Sequence, residues 1–180
     1  MADHALRTSP DAHPLLHAFL GMSMNERWLN RPPSEMLKTF HSFRGEAFEL
    51  IVEDLLAVPS NQVVLAEGFR LLPRLVAPLL SGPRQAVWLI PSPEQRRSAL
   101  QARGSLYEIA GKTSDPDRAL DNLLTRDAMF SEEIDAEAMA LHLPVIRIDV
   151  GDDIADVTQR VADALGLERP LRSSPPAHPV

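Results

Sequence analysis

The apolar positions of this chain change period along its length. Phe43, Ala47, Leu50, Ile51, Leu55 and Val58 recur at helical spacing, and Pro59-Ser60-Asn61 closes that run. Val63-Val64-Leu65-Ala66 follows as an unbroken apolar tetrad, stopped by Glu67-Gly68. A Leu- and Pro-rich helix is predicted over 71–80, and a second unbroken run, Ala86-Val87-Trp88-Leu89-Ile90, is stopped by Pro91. Ser92-Pro93-Glu94 has the form of a helix start, with serine as N-cap and proline in the first turn. Asp115-Pro116 marks another, opening a long helix from Arg118 to about Leu141. A third run, Val145 to Val150, ends at Gly151. Ile154, Val157, Val161, Ala164 and Leu165 then give a last amphipathic helix, closed by Gly166.

Short apolar runs without alternation fit strands buried on both faces, and helices between such strands demand crossover connections. The pattern therefore predicts an α/β fold, a parallel sheet with helices on both faces and right-handed crossovers. Ligands of such sheets bind at the carboxyl ends of the strands. Those ends are Glu67-Gly68, Pro91-Ser92 and Asp149-Val150-Gly151. Three strands make a thin sheet for so many helices.

Length and composition narrow this picture. With 180 residues the chain is expected to form one domain, over 1–167. Residues 168–180, with Pro170, Pro175, Pro176 and Pro179, read as a disordered tail. The formal charge of −7 argues against a general binder of nucleic acid or anionic membrane. The absence of cysteine excludes disulfide frameworks, thiol nucleophiles, zinc ribbons and iron–sulfur clusters, and fits a cytoplasmic protein. The greasiest stretch, Leu71 to Leu80, is broken by Pro73, Arg74 and Pro78, so no membrane span is predicted.

Candidate chemistry is sparse. An acid ending a buried strand, as Glu67 does, sits where a nucleotide's magnesium and its water shell would lie; the plainer reading is a solvated Glu before a turn Gly. Gly111-Lys112-Thr113 mimics the end of a phosphate loop, but G-x-x-x-x-G-K-[ST] needs glycine at 106, which is Leu106. Arg96, Arg97, Arg103, Lys112, Arg118 and Arg126 concentrate positive charge, either over a phosphate or as a solvated helix face. Arg126 differs, because Leu120, Leu123, Leu124 and Phe130 place it at the edge of the long helix's buried face. His13 and His17 stand one turn apart without a third ligand, so no metal site is expected there.

These parts in this order resemble the later portion of the P-loop small-molecule kinases, the group with shikimate, gluconate and nucleoside kinases and chloramphenicol phosphotransferase. The hhhh-Glu-Gly strand (63–68) and the Val-Trp-Leu-Ile-Pro strand with its Arg-bearing helix (87–103) carry the resemblance. So do the Leu-Leu-x-x-Arg-x-x-x-Phe helix and the strand Val-Ile-Arg-Ile-Asp. It implies ATP and Mg²⁺ as cofactors and a small hydroxyl-bearing molecule as phosphoryl acceptor. By position, Glu67 resembles the acid holding the magnesium's water shell. Arg96, Arg97, Arg103 and Lys112 resemble lid cations, and Arg126 the helix arginine that meets phosphate or substrate. Asp149 and Gly151 fall in the loop lining adenine, and Asp3 resembles the acid that accepts the acceptor's proton. Residues 14–58 would be the helical substrate-side insert, with Arg27, Trp28, Arg31 and Arg44, and Arg70 beyond it, as substrate contacts. The resemblance also implies a central first strand with the phosphate loop, between 63–66 and 86–90, which this sequence does not contain. The chain is then an N-terminally incomplete kinase, a degenerate relative, or an unrelated α/β domain acting as a non-catalytic interaction module, and a homo-oligomer is compatible with each.

Overall fold

The computed structural model describes residues 2–104 and 108–167, with the backbone alone at 2, 3, 83 and 103. The first half is helical: α1 (Ala2–Leu6), α2 (Pro14–Gly21), α3 (Met24–Trp28), α4 (Pro33–Thr39), α5 (His41–Arg44), α6 (Phe48–Leu56) and the single turn α7 (Pro73–Val76). Strand β1 (Trp88–Pro91), α8 (Pro93–Arg103), α9 (Pro116–Ala140), β2 (Val145–Ile148) and α10 (Ile154–Ala164) complete the chain. The molecule is a mixed α/β structure whose described strands form one two-stranded parallel sheet, with Trp88 opposite Val145 and Pro91 opposite Ile148.

The local signals explain most of these bounds. Ser92 Oγ accepts the Gln95 N–H at 3.3 Å and caps α8, and the Asp115 carboxylate accepts the Arg118 N–H at 3.2 Å and caps α9. Gly166, at φ 65°, takes the left-handed conformation after α10 that closes a helix.

Helix α9 organises the interior. Ala119, Leu123, Phe130, Ile134 and Ala138 recur every three to four residues and form one stripe, with Arg126 and Asp127 at its middle. The first half of the stripe packs with Trp28, Leu29 and Ala110, joined by Phe19, Met24 and Phe40. The second half packs with Leu72 and Trp88, joined by Leu75, Val76, Ile90 and Val145. The Trp88 indole N–H donates to the Leu71 carbonyl at 2.9 Å and ties the chain ahead of α7 to the start of β1.

Three expectations are corrected. The tetrad 63–66 is not a strand. Residues 61–69 are all exposed, Val63 at 102% and Leu65 at 82%. A buried strand needs a ladder for its N–H and C=O groups, and among the described residues none pairs with this segment, so its backbone stays in water. The helix expected over 43–58 is broken in two by left-handed residues at Gly45 (φ 88°) and Ala47 (φ 62°). The helix expected over 71–80 is reduced to α7 and a 3₁₀ turn at Ala77–Leu79. Pro78 lacks the N–H an α-helix would use there, and its ring collides with the carbonyl four residues back.

Candidate functional site

The carboxyl ends of β1 and β2 open on a cleft of about 220 Å³ lined by Ser92, Arg96, Asp127, Asp135, Arg147 and Asp149, among others. The strand–helix junction at Ser92 brings Arg96 to this cleft one turn into α8. Its Nε and Nη2 donate to Asp127 Oδ2 at 3.1 and 2.7 Å. Arg126 donates from Nε and Nη2 to the other oxygen, Oδ1, at 3.0 and 2.6 Å. One buried carboxylate thus holds two guanidinium groups, a positively charged trio at the middle of α9.

The Arg126 guanidinium is also enclosed by aromatic rings. Its carbon lies 5.0 Å from the centroids of Trp28 and Phe40 and 5.1 Å from that of Phe43. Its Nη1 is buried without a hydrogen-bond acceptor among the described residues, and the negative ring faces stand where an acceptor would. Around it Phe43 stacks on Phe130 at 3.6 Å, and Phe40 meets Phe19 edge-on at 5.2 Å.

On the far wall Arg147 Nη2 donates to both oxygens of Asp135, at 2.8 and 2.6 Å. Asp149 begins a turn in which its N–H donates to the Asp152 carboxylate at 2.9 Å, and Gly151 (φ 96°) supplies the left-handed step. A second, more open groove of about 480 Å³ runs between α8 and α9 past Glu94, Arg97 and Gln101. There Arg97 reaches Asp121 at 3.4 Å.

The structure therefore gathers Arg96, Asp149 and, through Asp127, Arg126 at one strand end. It does not bring the other candidates there. Glu67 stands in the exposed segment that was expected to be a strand and lines neither cleft, so its placement at a strand end is corrected. Lys112 is exposed on the 3₁₀ turn Ala110–Lys112, and Thr113 behind it is buried and bonded to the Ala110 carbonyl at 2.6 Å. The side chains of Asp3 and Arg103 lie outside the described residues, as does the segment 168–180.

The proposed substrate contacts are engaged by their own chain. Arg27 donates to the Leu20 carbonyl at 2.9 Å and lies over Phe19, while Trp28 is buried under Arg126. Arg31 ties α3 to α4 through the Glu26 carbonyl and Thr39 Oγ1, each at 2.8 Å. Arg44 pairs with Glu133 of α9 at 2.7 Å. Arg70 donates to the Ala47 carbonyl at 2.7 Å and to His4 Nδ1 at 3.1 Å. A guanidinium only donates, so His4 keeps its proton on Nε2, which donates to Asp54 at 2.5 Å. His13 turns to Glu49 at 2.6 Å and His17 to Thr8 at 3.2 Å, so the two histidines face different partners.

Among the described residues no three His, Asp or Glu side chains converge to hold a metal, and Glu67, the residue expected to hold the magnesium's water shell, lines neither cleft. Sequence reasoning missed Asp127, the bridge, together with Asp135 and Arg147. The adjacent Arg126-Asp127 pair within an apolar stripe was the available signal. Among the described residues no helix is long and apolar enough to cross a membrane. No family model, curated protein or solved structure matches this chain.

Proposed function

We propose that these residues form the lid-arginine and adenine-side part of a P-loop-kinase-like unit for ATP-dependent phosphorylation of a small hydroxyl-bearing molecule. In this reading these 180 residues alone transfer no phosphoryl group and bind ATP weakly or not at all. The observation that carries the reading is the parallel β1–β2 pair with Arg96 and Asp149 lining the cleft at its carboxyl ends and Asp127 linking Arg96 to the buried Arg126. In an open parallel sheet that is the ligand edge, and arginines there supply charge for an anion. In this reading Glu67 and the exposed tetrad before it would be ordered by a strand with its phosphate loop laid against β1.

The test has two arms. The 180 residues alone should show a dissociation constant for MgATP weaker than about 1 mM by calorimetry. Tight, magnesium-dependent binding would overturn this. Fusing a strand–G-x-x-x-x-G-K-[ST]–helix segment ahead of Met1 should restore magnesium-dependent ATP binding, and Glu67→Gln in that fusion should abolish turnover without loss of fold. Restoration that ignores Glu67→Gln would remove Glu67 from the mechanism.

A second reading, a non-catalytic interaction module, is favoured by the exposed Val63, Leu65 and Leu89 side chains and by a β1 edge that no described strand pairs. It predicts a stable oligomer and no response to nucleotide in either arm.

A further inference from the structure

Strand β1 pairs with β2 through alternate residues. The Trp88 N–H donates to the Pro144 carbonyl at 3.0 Å and the Ser92 N–H to the Ile148 carbonyl at 2.8 Å. Residues 88, 90 and 92 thus face β2, and Leu89 and Pro91 face the opposite edge, which no described strand occupies; there Leu89 offers an N–H and a C=O, and Pro91 a C=O alone. Leu89 is itself 46% exposed. An uncovered apolar edge of this kind is a template for another chain.

The same molecule holds a segment that fits it. Val63–Ala66 is apolar, as long as β1, free of proline, exposed and without secondary structure. Leu71, only a few residues further on, is tied by its carbonyl to the Trp88 indole, so this segment is tethered on the side of the molecule where β1 begins. Donor and acceptor lying on one side is what a self-complementary two-fold contact requires.

Register and charge select a parallel pairing with Val63 opposite Trp88. Leu89 then donates to the Val63 carbonyl and accepts from the Leu65 N–H. Val63 and Leu65 fall on the face that α9 covers beside Trp88 and Ile90, and Val64 falls beside Leu89. Glu67 arrives opposite Ser92, at the N-terminus of the eleven-residue α8 near Arg96, where a carboxylate is favoured. Complete covering of these side chains in two copies would remove at most on the order of 1,000 Å² of surface, the lower limit for a specific interface.

We propose that two copies of this chain associate edge to edge, each laying its Val63–Ala66 segment in parallel against β1 of the other. The pairing needs no nucleotide, and it uses the β1 edge that the kinase-like reading gives to a phosphate-loop strand.

Light scattering on the full chain without nucleotide, from about 1 to 100 µM, tests it. The protein should run as a dimer. Leu65→Pro, which deletes the N–H offered to Leu89, should weaken association at least tenfold, about 1.4 kcal/mol. It should leave far-UV circular dichroism and unfolding of the dilute monomer unchanged, because Leu65 is 82% exposed there and belongs to no helix or strand. Leu89→Asp should weaken association similarly. As the chain has no cysteine, Val64→Cys chains mixed with Leu89→Cys chains should form a disulfide between copies under mild oxidation. A monomer at the highest concentration, an open-ended series of larger species, a dimer indifferent to Leu65→Pro, or a mixture that fails to cross-link would each overturn the proposal.

Discussion

At the scale of single residues, Asp127 carries the most consequence. It accepts from both Arg96 and Arg126, and truncating it leaves the Arg126 cation buried without its carboxylate. Asp127→Ala should therefore cost about 3–5 kcal/mol in urea unfolding, the range for breaking a buried ion pair. Arg126→Met leaves Asp127 still held by Arg96 and places a thioether among Trp28, Phe40 and Phe43, so a smaller loss of about 1–2 kcal/mol is expected. Equal losses would mean that Asp127 acts only as Arg126's partner. His41 gives the pH signature. Burial, with Arg70 beside it, pushes its imidazole down to about 4. The unfolded chain then takes up the proton first, so the stability contributed by neutral His41 is complete above about pH 6.5 and is lost as pH falls toward 4. His41→Phe, which keeps the ring against Phe40 and Phe19, should flatten the melting temperature across that window. The spacing of Leu120, Leu123 and Phe130 put Arg126 at the edge of the buried face, whereas the structure buries it within the stripe. Its ring enclosure was not legible, because Trp28, Phe40 and Phe43 arrive from distant parts of the chain.

At the scale of elements, the strands and capped helices behaved differently from the free segments. Trp88–Pro91 and Val145–Ile148 were legible because each supplies the other's ladder, and α8 and α9 because serine and aspartate caps mark their starts. Val63–Ala66 has the same composition and no ladder. Composition sets what a strand gains by burial, while the partner decides whether its backbone can leave water. The break between α5 and α6 turns on Gly45, where a Cβ would meet Leu75 Cδ1 at 2.7 Å in a left-handed backbone. Gly45→Ala should lower stability by about 1–2 kcal/mol in denaturant melts, whereas a surface glycine-to-alanine change such as Gly111→Ala should cost far less. Helix α1 is held to α6 by bonds from His4 and Arg7 to Asp54. The His4 bond, with Arg7 second, keeps the Asp54 carboxyl below its usual range. That contribution is present above the carboxylate range and is lost as pH falls through the lowered value. Amide exchange in α1 should accelerate only in that acidic range, and Asp54→Asn should abolish the step.

At the scale of the whole molecule, the parallel-sheet rule points to the strand ends, and a cleft lies at the ends of β1 and β2. Two of the three strand ends named from the sequence, Pro91-Ser92 and Asp149, line it. The third, Glu67-Gly68, could not be placed by any rule of local pattern, because its position depends on what lies between it and β1. The same gap decides the two functional readings, so oligomeric state and nucleotide response should vary together: a fused phosphate-loop strand that restores ATP binding should also occupy the β1 edge and dissolve the dimer. The two tryptophans make these events separately visible. Trp28 lies in the core at one end of α9, under a guanidinium, and Trp88 in the core at the other, at the start of the open-edged strand. Each core thus carries its own built-in fluorophore. Trp28→Phe leaves an emission that follows the sheet edge and its partner, and Trp88→Phe one that follows the ring-enclosed arginine.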